Sequence, residues 1–111
     1  MKAFAFTLLM ITSLQSLATT VVTTKITRVL VGEVYGDMVF IGVANKPSIP
    51  GGHCQSNPDY NYIFDPTTSM GKVTLSILLA AYAAQKDVYI NGYDSCTIYS
   101  GVENLRQLEL K

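Results

Sequence analysis

The sequence predicts a mainly β fold with one helix, an α+β class, in a single domain. An alternating β-branched segment and a continuous apolar segment precede residue 65, one segment without proline or glycine spans residues 72–86, and further apolar segments end the chain. Strand patterns on both sides of one helix pattern are typical of a sheet covered by a single helix. The 111 residues suffice for one domain, and an apolar fraction of 49% with only 14% charged residues excludes a disordered chain.

The charge balance excludes one class of partner. Eight basic and eight acidic side chains give a formal net charge of zero. A surface that binds nucleic acid or an anionic membrane needs an excess of lysine and arginine. We therefore expect no nucleic acid partner.

The first 18 residues are typical of a secretory signal peptide. Lys2 supplies a positive start, residues 3–11 are apolar, and small side chains at Ser16 and Ala18 suit cleavage after Ala18. The alternative, a buried N-terminal helix, predicts apolar residues at helical spacing, whereas these are contiguous. The apolar run is shorter than the about 20 residues that a membrane span requires. We expect a mature single domain over residues 19–111, secreted or periplasmic, without a membrane span.

Export also accounts for the two cysteines. Cys54 and Cys96 form an even number in an expected oxidising compartment, which predicts one disulfide between them. The bridge would close a loop of about 43 residues and contribute roughly 4 kcal/mol in the chain-entropy model. His53 beside Cys54 suggests a Cys/His nucleophile as an alternative, but neighbouring residues of an extended segment point to opposite faces. We interpret His53 as a loop histidine next to a half-cystine.

The first half of the chain predicts three strands. Residues 23–35, TTKITRVLVGEVY, alternate as in a long strand, and Gly32 predicts a bulge or bend that lets one strand serve two parts of a barrel. A tight turn then predicts a hairpin with a second strand at residues 38–43. The proline- and glycine-rich residues 45–58 predict a loop, and residues 60–64 predict a short third strand.

Residues 72–86 predict the helix, with hydroxyl N-cap candidates at residues 67–69. An apolar stripe at i, i+3, i+4 and i+7 predicts the side that faces the barrel: Leu75, Leu78, Leu79 and Tyr82. The rest of the helix surface is nearly as apolar, and a single sheet covers one face only. We therefore expect the second face to contact neighbouring copies in a homo-oligomer, through Ile77, Ala80 and Ala84.

Strand patterns return after the helix. Residues 87–90 predict a fourth strand, Asn91-Gly92 predicts a turn, and residues 96–99 and 105–110 predict the last strand or strands. A bent strand, a hairpin partner, a third strand, one helix and then two strands is the order of an OB-type five-stranded barrel, in which the helix lies between strands three and four. An unrelated α+β sandwich is the alternative.

The helix and its surroundings carry a family resemblance. Residues 71–90, GKVTLSILLAAYAAQKDVYI, the early strand at residues 26–32, the Cys96 segment and VENL at residues 102–105 resemble those of small secreted bacterial proteins similar to the B subunit of subtilase cytotoxin. The resemblance implies an OB-fold B subunit that forms a pentamer around central helices. It also implies binding of cell-surface glycans, often sialylated, and a toxic A subunit as a partner.

The expected function is a secreted, toxin-B-subunit-like and oligomeric glycan-binding module. Tyrosines on or beside loops offer amphipathic stacking surfaces and are the glycan-contact candidates: Tyr60, Tyr62 and Tyr93. The sequence has one histidine, no carboxylate pair at a recognisable spacing, no phosphate-binding Gly-rich loop and no H-E-x-x-H motif, so we expect no catalysis, cofactor or metal. The alternative is a small secreted structural or inhibitory protein with an OB-like fold and no glycan ligand.

Overall fold

The computed structural model describes residues 21–46 and 51–111. The predicted signal peptide at residues 1–18 and its cleavage site lie outside the described residues. In the described ranges, no helix is long and apolar enough to cross a membrane.

In the described residues the fold has five strands, one α-helix and one short 3-10 helix, and the strands and the α-helix follow the predicted order. Their bounds are β1 Val21–Val31, the 3-10 helix Glu33–Tyr35, β2 Val39–Val43, β3 Tyr62–Phe64, α1 Ser69–Ala84, β4 Asp87–Gly92 and β5 Glu103–Leu110. The protein is therefore mainly β with one helix, and this helix lies between the third and fourth strands, as the sequence predicts.

The five strands pair in the order β1-β2-β3-β5-β4, and β4 pairs with β1, so the sheet closes into a barrel. The β3–β5 pairing is parallel, with Tyr62 opposite Glu103 and Ile63 opposite Asn104. The other four pairings of the described strands are antiparallel.

The first strand contributes to two parts of the barrel, as predicted. Its first half pairs with β4 and its second half with β2. The irregularity in its pairing with β2 falls between Ile26 and Arg28, so the predicted bulge at Gly32 is wrong. The strand ends at Val31, and the 3-10 helix follows. Gly36, directly after that helix, takes a left-handed conformation (φ 77°) that suits glycine.

An exposed ion pair lies at one end of the β1–β4 pairing. Lys25 lies opposite Asp87, and its Nζ donates a hydrogen bond to Asp87 Oδ1 at 2.6 Å. This hydrogen bond and the lysine charge lower the pKa of the Asp87 carboxyl.

Two apolar clusters fill the molecule. The barrel interior holds the larger cluster: Ile26, Val39, Ile41, Val43, Tyr62, Phe64, Leu78, Ala81, Val88 and Ile90. A smaller cluster of Phe40, Ile63 and Val102 lies on the other side of β2 and β3. Because both sides of β2 are covered, all five of its residues are buried, which explains its continuous apolar sequence.

The first turn of α1 packs closely against the backbone of the segment after β3. The Thr68 hydroxyl caps its first turn by accepting a hydrogen bond from Gly71 N at 2.8 Å. A Cβ atom at Gly71 would overlap the carbonyl oxygen of Asp65, so only glycine allows this approach. The buried residues of α1 are Gly71, Leu78 and Ala81.

The predicted barrel-facing stripe of α1 is correct only in part. Leu78 is buried and Leu75 packs partly against the core, but Leu79 and Tyr82 are 48% and 41% exposed. The reason is that the helix packs through small residues, and Ala81 takes the inward place that the pattern gave to its larger neighbours. On the opposite side, Ala80 and Ala84 are exposed and Ile77 is half-buried.

The predicted turn at Asn91-Gly92 is wrong, because β4 continues through Gly92. An added Cβ at Gly92 would overlap the side-chain carboxylate of Glu103, so this glycine serves a close approach between segments. The predicted strand at residues 96–99 is also absent; Tyr99 makes only an isolated bridge to Val102.

Candidate functional site

A disulfide holds two long connections of the barrel together. Cys54, in the connection before β3, is bonded to Cys96, in the connection between β4 and β5, with their Cα atoms 5.9 Å apart. The predicted pairing is confirmed. Since β3 and β5 are the two strands that pair in parallel, the bridge fixes the chain segments that lead into both of them.

The buried side chain of Gln55 reinforces this connection. Its Oε1 accepts a hydrogen bond from Glu103 N at 2.7 Å, and its Nε2 donates to the carbonyl of Tyr60 at 2.8 Å. The backbone N–H groups of Ser56 and Asn57 both donate to the Gly101 carbonyl. We call the disulfide and these hydrogen bonds the clamp.

A buried charged cluster lies beside the clamp. The His53 side chain is 1% exposed, and its Nε2 lies 2.5 Å from Asp94 Oδ1 and 3.3 Å from Glu103 Oε1. Its Nδ1 accepts a hydrogen bond from Gln55 N at 2.9 Å, which assigns the ring proton to Nε2, facing the two carboxyl groups. The second oxygen of Glu103 accepts from Asp94 N at 3.2 Å. The cluster therefore links the loop before β3 to both ends of the connection before β5.

Sequence reasoning missed the partners of His53. Asp94 and Glu103 lie far from it along the chain, and nothing in their spacing marks them. Asp94 has a left-handed backbone (φ 60°), a conformation that aspartate tolerates better than most residues. In the described ranges, no group of three or more His, Cys, Asp or Glu side chains is arranged to hold a metal ion.

One candidate ligand site is an open groove between the first half of α1 and β5, which we call the helix groove. One part of it has a volume of about 320 Å³, and an adjoining part shares six lining residues with it: Met70, Thr74, Tyr93, Arg106, Gln107 and Leu108. The wall combines apolar side chains of the helix with polar side chains of the strand. Such a mixture is typical of sites that orient a ligand by a few polar groups.

Tyr93 is the most exposed aromatic side chain of this groove. It is 57% exposed, and the guanidinium carbon of Arg106 lies 5.9 Å from the centroid of its ring. Its backbone N–H donates to the Asn104 carbonyl at 2.9 Å, while the Asn104 amide donates to Thr97 Oγ1 at 2.6 Å. The residue next to Tyr93 is Asp94 of the charged cluster, so the cluster and the clamp fix the chain that carries this ring.

Asp65 supplies negative charge to the lining of the groove. The hydroxyl and the backbone N–H of Thr67 both donate to its Oδ1, and these hydrogen bonds lower the pKa of the Asp65 carboxyl. Arg106 is the only basic side chain among the lining residues that the structure describes. The groove thus has a cation beside an exposed aromatic ring, and its acid is already engaged by a neighbour.

The structure separates the three predicted glycan-contact tyrosines. Tyr93 lines the helix groove, whereas Tyr60 lines a second and smaller cavity that shares no lining residue with it. Tyr62 is 0% exposed in the barrel interior, so its prediction as a ligand contact is wrong. The reason is the period of two along β3, which turns Tyr62 and Phe64 into the barrel and Ile63 away from it.

Comparison of the chain with protein-family models, curated proteins and solved structures gave no match.

We predict that Gly92→Ala destabilises the protein by about 1–3 kcal/mol, because the new methyl group must displace the Glu103 carboxylate from its buried place. Gly51→Ala is the matched control, since a Cβ at Gly51 meets no atom within 4 Å. The free energy of unfolding, measured with denaturant on oxidised protein, decides between them. Equal stabilities of the two variants would show that the close packing of Gly92 on Glu103 is not needed.

Proposed function

We propose that this protein is an exported, oligomeric carbohydrate-binding module without catalytic activity, and that its ligand is a glycan with an acidic sugar. The observation that carries the proposal is the exposed ring of Tyr93 beside the Arg106 guanidinium in the helix groove. The resemblance to B subunits of the subtilase cytotoxin type points to the same class of ligand.

An exposed tyrosine suits a sugar because its ring offers an apolar face and its hydroxyl a hydrogen-bonding edge. Sugars likewise have apolar C–H faces and polar edges. The helix groove adds the side chains of Gln107 and Thr74 to the ring of Tyr93. In this account the sugar stacks on Tyr93, and the polar groups orient it.

Arg106 favours an acidic sugar over a neutral one. A guanidinium forms two parallel hydrogen bonds with a carboxylate, which adds both energy and orientation. The sugar carboxylate is expected at Arg106, because the guanidinium attracts it and the Asp65 carboxylate of the same groove repels it. A sialylated glycan carries such a carboxylate.

The burial of the one histidine favours binding over catalysis. The His53 side chain is 1% exposed and faces Asp94 and Glu103, so a substrate in either cavity does not contact it. General acid and base groups must lie within hydrogen-bonding distance of the reacting atoms. His53 is therefore assigned a structural role in the charged cluster.

We assign the barrel to the OB type. The strand order β1-β2-β3-β5-β4, the parallel β3–β5 pairing and the position of α1 between β3 and β4 support this assignment. OB barrels commonly bind oligonucleotides or oligosaccharides. The zero net charge of this chain favours an oligosaccharide.

The exposed side of α1 supports a homo-oligomer. Val73 is 53% exposed, and Ala80 and Ala84 lie one and two turns beyond the half-buried Ile77, so an apolar stripe runs along the helix. The resemblance favours a pentamer around these helices and a toxic A subunit as a further partner. Several sites on one ring can raise apparent affinity by about 10²- to 10⁴-fold without new contacts.

We predict that oxidised oligomer binds sialylated glycans on a multivalent array, and that Tyr93→Ala and Arg106→Gln each reduce binding about tenfold or more. Tyr93→Phe keeps the ring and should retain most of the signal. Tyr89→Ala, a tyrosine of β4 that lines neither cavity, is the matched control. Thermal unfolding of each variant verifies the fold.

Two outcomes would contradict the proposal. A folded oligomer that binds no glycan across a broad array would favour the structural or inhibitory alternative. Glycan binding that survives Tyr93→Ala and Arg106→Gln would place the ligand outside the helix groove.

We predict that Ala80→Glu dissociates the oligomer before it unfolds the subunit. An unpaired carboxylate at an apolar contact costs several kcal/mol, whereas the same charge in water costs little. Ala44→Glu, at an exposed position after β2, is the control and should leave the assembly unchanged. Light scattering coupled to size-exclusion chromatography measures the mass of both variants. A monomeric wild type at high concentration would refute the oligomer.

A further inference from the structure

A second cavity on the outer side of the barrel wall has a different chemistry from the helix groove. It has a volume of about 220 Å³ and is lined by four aromatic side chains, Tyr35, Phe40, Tyr60 and Tyr99, together with Leu30, Asn57 and Asp59. We call it the aromatic cavity. It shares no lining residue with the helix groove.

Phe40 is the centre of the aromatic cavity. It is 2% exposed, and its ring centroid lies 5.3 Å from that of Tyr35, 5.7 Å from that of Tyr60 and 5.1 Å from that of Tyr99. All three tyrosines are steeply inclined to it, with interplanar angles of 64° to 82°. Tyr35 and Tyr99 nevertheless remain 41% and 39% exposed. The rings are thus fixed by packing while they still face solvent.

The four aromatic side chains of this cavity come from four separate parts of the chain. Tyr35 comes from the 3-10 helix, Phe40 from β2, Tyr60 from the loop before β3 and Tyr99 from the connection before β5. Phe40 packs with Ile63 and Val102 in the smaller apolar cluster, and Tyr60 packs against this cluster. The clamp joins the segments of Tyr60 and Tyr99, so the cavity is preformed in the oxidised protein.

The charges around the aromatic cavity favour a cation. Asp59 is its only acidic lining residue, and no basic side chain is among the described lining residues. Arg28, outside the lining, shows the attraction directly: its guanidinium carbon lies 5.7 Å from the Tyr60 ring centroid, and it pairs with Asp59 at 3.3 Å. Both side chains of this ion pair are more than half exposed, so the pair is weak, and an incoming cation competes with Arg28 for Asp59 and the Tyr60 ring.

The lining of the aromatic cavity suits a methylated ammonium group. Asn57 Oδ1 already accepts hydrogen bonds from the backbone N–H groups of Asp59 and Tyr60. The other lining side chains are three tyrosines, Phe40, Leu30 and Asp59, so the wall offers ring faces and one carboxylate. A methylated ammonium group needs no hydrogen bond, because its charge is attracted by ring faces and a nearby carboxylate.

We propose that the aromatic cavity binds a trimethylammonium group, the cationic end of choline. The rings of Tyr35, Tyr60 and Tyr99 surround the methyl groups, and Asp59 supplies the counter-charge at the rim. The group can belong to free choline or to a phosphatidylcholine headgroup, and the experiment distinguishes these two sources.

The test titrates the oxidised full chain with choline chloride and, separately, with phosphatidylcholine vesicles, followed by NMR shifts of the tyrosine rings and by vesicle cosedimentation. We expect Tyr35→Ala and Tyr99→Ala to weaken choline binding by about fivefold or more. Asp59→Asn should weaken it by about two- to fivefold. Tyr93→Ala, in the helix groove, is the matched control and should bind choline as the wild type does. Binding to choline but not to vesicles would assign a soluble ligand, and the reverse a membrane surface.

The neutral isostere 3,3-dimethylbutan-1-ol separates cation binding from apolar binding. It has the shape of choline without the charge and is expected to bind at least about fivefold more weakly. Equal binding of the isostere, displacement of choline by a neutral monosaccharide, or no binding of choline or vesicles by folded protein would each overturn the proposal. None of these results depends on whether glycans bind the helix groove.

Discussion

The parallel pairing of β3 with β5 is the contact on which the rest of the structure depends. β3 has only three residues, and parallel pairs are slightly less stable per residue than antiparallel ones. Yet this pairing closes the barrel between the β1–β2–β3 hairpins and the β4–β5 pair. The clamp supplies what the short strand lacks, because the Cys54–Cys96 bridge and the Gln55–Glu103 hydrogen bond hold the entrances of both strands together.

Both candidate binding sites are built from the chain segments that the clamp fixes. Tyr93 of the helix groove stands next to Asp94, which faces the buried His53. Tyr60 and Tyr99 of the aromatic cavity lie in the two connections that the disulfide joins. A domain of this size has a limited core, so a covalent bond between loops is an effective way to hold binding residues rigid. In this account the same bond stabilises the fold and shapes its ligand sites.

The sequence predicted those features that depend on local pattern and on cysteine chemistry. The element order was predictable from the alternation after residue 23 and from the capping hydroxyl of Thr68. The disulfide was predictable because the chain has only two cysteines. Features that depend on close packing between distant segments were not predictable. The dipeptide Asn91-Gly92 is typical of a turn, but residue 92 lies in a strand. It is a glycine because the Glu103 side chain occupies the space that a Cβ would need.

The tyrosines and the helix show the same limit. Local context marked Tyr60, Tyr62 and Tyr93 alike, but the alternation of side chains along β3 buries Tyr62, and the other two line separate cavities. The core stripe of α1 was misassigned at Leu79 and Tyr82, because Leu78 and Ala81 are the side chains that the helix buries in the core. Asp94 and Glu103 had no local signal, since only the folded chain brings them to His53.

Native-state hydrogen exchange on oxidised and reduced protein tests the central claim, that the clamp holds the β3–β5 pairing. We predict that reduction speeds amide exchange at β3 and the start of β5 at least about tenfold more than exchange in the β1–β2 hairpin. The reason is that the β3–β5 pairing then opens before the rest of the barrel. A uniform change over all strands, or unchanged protection of β3 and β5, would contradict it.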